Sequence, residues 1–160
     1  MKILSGLLTP TIALIAVYIA WQQKKLANDK LKFDLYEKRF KIYKIVNEYI
    51  MNLISETAQG HDINSPKKDF TGWVNFNLAT KETPFLFDKD ITDYLAVIRD
   101  KAQLLLNVCN TLNDPICFPM YSQDRNDKLA EHRTLSNWFQ DELHVVETPF
   151  ESYLSFKHLK

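Results

Sequence analysis

Nineteen consecutive residues, 3–21, carry no charge, and this run constrains the chain more than any other feature. At about 1.5 Å per residue a helix of that length covers about 28 Å, close to the roughly 30 Å of hydrocarbon in a bilayer. Tyr18 and Trp21 stand at the end nearest Lys24 and Lys25, and amphipathic rings and lysines favour the headgroup region. Pro10 falls in the first half of the run, where a kink does not prevent spanning. A cleaved export signal needs a shorter apolar region, a basic start and small residues at the cut. Here only Lys2 precedes the run, Tyr18 stands two residues before Ala20, and no cysteine follows to take a lipid.

The run therefore predicts an uncleaved transmembrane anchor over residues 1–21, followed by a polar basic stalk over 22–30 and a helical domain over 31–160. Lys2 before the span competes with Lys24, Lys25, Lys30, Lys32, Lys38 and Arg39 after it. The positive-inside rule then puts the N-terminus outside and the domain in the cytoplasm, on a cell inner membrane.

Three glycines in 160 residues starve β-turns and suit helices, so the expected fold is all-α. Charge balances overall but not locally. Residues 22–44 hold eight basic and three acidic side chains, a net of +5, while residues 45–160 hold eleven and seventeen, a net of −6. A cationic base under an anionic remainder fits the anionic lipids of a cytoplasmic membrane surface and argues against nucleic acid; a Lys-rich solvated helix face is the plainer alternative. Cys109 and Cys117 match neither a zinc pattern nor a redox pair, and two buried thiols are expected, a disulfide arising only in an oxidising compartment.

No proline interrupts residues 22–59, and Gly60 offers a stop. Phe33, Tyr36, Phe40, Tyr43, Ile50 and Ile54 recur at helical spacing, and Leu35, Ile42, Val46, Tyr49 and Leu53 widen the stripe beyond a coiled-coil seam. This reads as the central helix of a four-helix-type bundle, a parallel coiled-coil dimer being the alternative. Ser65 and Pro66 open a second helix of about 14 residues, with Phe70, Trp73, Val74 and Leu78 on one face and Gly72 weakening it. Asp88 or Asp90 caps a third, with Ile91, Leu95, Ile98, Ala102, Leu105, Cys109 and Leu112 inward and Pro115 closing it. A fourth starts near Ser122 or Asp124 and turns Leu129, His132, Phe139, Leu143 and Val146 to one side. Pro149 kinks or restarts it.

Chemistry is harder to find. His61, His132, His144 and His158 stand in no metal-ligand motif, and His61-Asp62 reads as a loop pair. Glu131 and His132 point about 100° apart on a helix. His132 and Ser136 have the spacing for contact, but a mid-helix serine lacks the sharp turn and oxyanion donors of a hydrolase. No glycine-rich phosphate loop is present. Asp88, Asp90, Asp93 and Asp100 lack calcium-loop spacing and surround a helix start, where negative charge is favourable. The aromatics of the first long helix read as core rather than a ligand pocket. Arg39 beside them needs a carboxylate or water, an ion pair being the default. No catalytic residue, cofactor or metal is assigned.

The stretches "KLKFDLYEKRFKIYKIV", "FLFDKDITDYLAVIRDKA" and "FESYLSFKHLK" resemble a set of small bacterial single-pass membrane proteins of unknown function. The resemblance implies an anchor followed by helices, with "FLFDKDI" packed near "KRFKIY". It thereby singles out Arg39, Phe40, Tyr43, Phe85 and Phe87 as a structural or interaction cluster. It supplies no activity. The expectation is a non-enzymatic, membrane-anchored adaptor or scaffold that binds an unidentified protein or forms a homo-oligomer. The rival is a membrane-active effector that oligomerises through its anchor, as a phage-defence component or toxin does, Ser5, Thr9 and Thr11 favouring helix association.

Overall fold

The computed structural model describes residues 2–58, 71–113 and 123–155, with the side chains of 11–57, 71–112 and 123–155. The described chain is all-helical, without a strand. Its order is α1 (Lys2–Ala58), α2 (Thr71–Thr80), α3 (Thr83–Leu86), α4 (Lys89–Asn113), α5 (Gln123–Val145) and α6 (Glu147–Leu154). The 57 residues of α1 run unbroken, as the lack of glycine and proline after Pro10 allows. Val146 marks the break between α5 and α6, but its φ of −55° and ψ of −26° are helical and its N–H still donates to Glu142 O at 2.8 Å. Pro149 is the third residue of α6, where the first turn tolerates its missing donor.

The core lies between the C-terminal half of α1 and the shorter helices. Ile42, Val46, Tyr49, Ile50 and Leu53 from α1 meet Phe76 from α2, Ile91, Leu95, Ile98, Ala102, Leu105, Val108 and Cys109 from α4, Leu135 and Phe139 from α5, and Phe150 from α6. Polar pairs fix the helices in register. Tyr94 Oη donates to Glu142 Oε1 at 2.6 Å between α4 and α5, and Arg99 donates to Thr80 Oγ1 at 2.9 Å between α4 and α2. Lys101 Nζ lies 4.8 Å from the centre of the Trp138 ring.

α4 buries the inward set expected of the third helix except Leu112, which is half-buried against the core, and adds Val108. Two other faces are rotated from expectation. On α1 the buried row is Ile42, Val46, Tyr49, Ile50 and Leu53, whereas Phe33 and Phe40 are 58% and 44% exposed. Aromatic size does not reveal which side of a broadly apolar helix its neighbours take. On α2 Phe76 and Thr80 are buried, while Val74 and Leu78 face outward, because Phe76 stacks on Tyr49 at 4.6 Å. The short α3 is a separate turn before α4, started by Pro84 in its first turn. Asp88 precedes α4, but its carboxylate is taken by Tyr153; Asp90 Oδ1 accepts from Ile91 N–H at 2.8 Å. Ser65, Pro66, Phe70, Pro115, Cys117 and Ser122 lie outside the described residues.

Among the described residues no helix is long and apolar enough to cross a membrane, so the transmembrane part of the expectation gains no support from the fold. Side chains of the uncharged run are described only from Thr11; eleven residues of helix cover about 16 Å.

Candidate functional site

Two features of α1 stand out. The first is a clasp around Arg39. Its Nε–H donates to the carbonyl of Leu86 at 2.7 Å, one of the carbonyls that the end of α3 leaves over. Its guanidinium lies 5.7 Å from the centre of the Phe87 ring and 5.2 Å from that of Tyr153, over ring faces that attract a cation. Tyr153 Oη in turn lies 2.9 Å from Asp88 Oδ2 and 3.1 Å from Asp90 Oδ1. Burial pushes its phenol up to about 12, helped by these two hydrogen bonds. The clasp thus joins α1, the α3–α4 junction and α6. Arg39 finds a backbone carbonyl and two rings where a carboxylate was expected.

Of the sequence-derived cluster, Arg39 and Phe87 touch directly. Tyr43 joins them through Phe150, whose ring lies 5.6 Å from Tyr43 and 5.5 Å from Phe87. Phe40 stacks on Tyr36 and also meets Tyr43, with ring centres 6.0 Å apart in each case, while Phe85 points outward at 87% exposure. The stretches "KRFKIY" and "FLFDKDI" therefore meet through Arg39. Tyr153 and Asp88 were not foreseen as members, since nothing in the local pattern ties the chain's end to residue 39.

The second feature is a surface hollow of about 450 Å³ lined by Trp21, Lys24, Lys25, Asn28, Asp29, Leu31 and Lys32. All lie on α1. Residues 21, 25, 28, 32, 35, 39, 42 and 46 form one helical row, so the hollow opens on the side of α1 that further along carries the bundle. Tyr18 and Trp21 neighbour each other with ring centres 6.4 Å apart, and Gln22 donates to Tyr18 Oη at 2.9 Å. Three ammonium groups beside an indole suit an anionic headgroup chemically.

The other candidates are scattered. His132 is half-buried, and burial lowers its pKa from the ordinary 6.5. Ser136 Oγ is buried without a hydrogen-bond partner among the described residues, so no His132–Ser136 bond forms. His144 is exposed near the end of α5. His61 and His158 lie outside the described residues. Among the described residues no three His, Cys, Asp or Glu side chains are grouped to hold a metal. Cys109 is buried in the core. Tyr49 and Tyr94 have phenols pushed far up, in both cases mainly by burial, with the charge of Glu56 adding at Tyr49 and the hydrogen bond to Glu142 at Tyr94.

No protein-family model matches this chain. Neither a curated protein nor a solved structure matches it.

Proposed function

We propose that this chain is a non-enzymatic, single-pass protein of a bacterial inner membrane. Its helical domain stands on the cytoplasmic side and binds another protein, or another copy of itself, at the membrane surface. One observation carries the reading: the uncharged run of residues 3–21 belongs to the same unbroken helix as the packed bundle. An anchor joined to a domain by a continuous helix holds that domain at a set distance from the bilayer. The hollow at Trp21, Lys24, Lys25 and Lys32 supports contact with anionic headgroups at the base. The Arg39 clasp supports a structural role for the "KRFKIY" and "FLFDKDI" pair, and Phe40 and Phe85 beside it offer exposed apolar surface for a protein partner.

Alkaline extraction of membranes from cells making the full chain tests this reading. The chain is expected to stay in the pellet, and Leu14→Arg, which adds about 3 kcal/mol to insertion at a helix centre, is expected to move it to the supernatant. Release of the unaltered chain would refute the anchor.

A further inference from the structure

The hollow on α1 orders its polar groups by distance from the uncharged run. Lys24 and Lys25 stand about 4.5 and 6 Å beyond Trp21 along the helix axis, and Asn28 and Asp29 about 10.5 and 12 Å beyond it. All four line the hollow, and all four are exposed. Two ammonium groups therefore come first, and an amide and a carboxylate follow. Among the described residues Lys25 and Asp29 form no ion pair, although they share the four-residue spacing at which Lys44 meets Glu48 at 3.7 Å. Both charges are left to an outside group. With Lys32 the hollow holds three lysines against one acid.

We propose that the hollow holds the headgroup of a phospholipid whose phosphodiester carries a polyol, as phosphatidylglycerol does. The proposal rests on the membrane-anchored reading, with Trp21 at the interface. The polar layer is about 5 to 8 Å deep on each side of a bilayer, and lysine stems lie back toward the N-terminus of a helix. Lys24 and Lys25 are thereby brought to the depth of the phosphate. Whatever extends beyond the phosphate meets Asn28 and Asp29.

Those two residues set the chemistry of the outer group. A carboxylate only accepts hydrogen bonds and an amide both accepts and donates, so the pair suits hydroxyl groups, and Asp29 repels further negative charge. Charge alone ranks lipids differently. A phosphate monoester carries up to two charges where a diester carries one, which would place phosphatidic acid ahead of phosphatidylglycerol. An ethanolamine headgroup offers Asp29 an ammonium group but leaves the excess of lysines unbalanced.

Lipid selectivity of the full chain, reconstituted in phosphatidylcholine vesicles, tests the proposal. Spin-labelled phosphatidylglycerol, phosphatidic acid and phosphatidylethanolamine are added in turn, and the motionally restricted fraction of each measures its association relative to spin-labelled phosphatidylcholine. Phosphatidylglycerol is expected to rank first. Lys24→Gln and Lys25→Gln are each expected to lower its preference about fivefold, the equivalent of about 1 kcal/mol per lysine. Asp29→Ala is expected to abolish the advantage of phosphatidylglycerol by strengthening phosphatidic acid. Phosphatidic acid ranking first in the parental chain, phosphatidylethanolamine equalling phosphatidylglycerol, or an unchanged order in Asp29→Ala overturns the polyol site. Alkaline washing of the same vesicles separates the two readings. A chain retained without selectivity rejects the headgroup site and keeps the anchor, whereas a chain selective but released keeps the site and rejects the anchor.

Discussion

Arg39 holds three elements through one planar group. A hydrogen bond from a charged donor contributes about 1.5 to 3 kcal/mol, and each ring contact adds about 0.5 to 1 kcal/mol when partly solvated. Arg39→Ala is therefore expected to lower stability by about 3 kcal/mol in urea unfolding. Arg39→Lys keeps a charge over the rings but not the fixed Nε–H geometry, and should fall between the two. An unchanged midpoint for Arg39→Ala would show that Leu86 O is equally well served by water. His132 gives a pH signature. Its folded-state pKa is depressed by burial, so the unfolded chain binds the proton more readily. Its contribution is complete above the unfolded value near 6.5 and is lost as pH falls through the lower folded value. Unfolding midpoints should decline below about pH 6.5, before carboxylates titrate, and His132→Gln should flatten that decline between about pH 5 and 6.5.

At the scale of single helices, α2 supplies a test that runs toward stabilisation. Among the described residues a Cβ added at Gly72 would meet Tyr49 Cδ2 alone, at 3.8 Å, an ordinary contact, and the position is helical. Gly72→Ala should raise stability by about 0.5 to 1 kcal/mol by removing backbone freedom from the unfolded chain. A lower melting temperature for this variant would mean that Tyr49 cannot accept the methyl. The elements were legible to differing degrees for physical reasons. α4 alternates a narrow apolar row with Asp90, Asp93, Arg99, Asp100 and Lys101, so its buried face has one solution. From Phe33 onward α1 is apolar over more than half of its circumference, with Asp34, Glu37, Lys38, Lys41, Lys44 and Glu48 on the rest, and only its neighbours decide that Ile42 and Val46 go inward while Phe40 does not. α2 is similar: its small size lets one ring contact, Phe76 on Tyr49, set the rotation. Arg39 was legible as a residue needing a partner, but Leu86 O and Tyr153 became its partners through tertiary folding that brings α3 and α6 onto α1.

Across the whole chain the charge is polarised along the sequence, +5 over residues 22–44 and −6 over residues 45–160. On the proposed reading the cationic part lies against anionic headgroups, and each exposed lysine near that surface contributes about 1 kcal/mol of attraction, screened by salt. The hollow at Trp21 faces the bundle's side of α1. On that reading one helix carries both the lipid-facing cradle and the packed domain. All of this depends on where the domain lies relative to the bilayer. Paired reporter fusions at Lys160, one active only in the cytoplasm and one only in the periplasm, measure that directly. Signal is expected from the cytoplasmic reporter alone; activity of the periplasmic reporter would contradict the cytoplasmic placement of the domain.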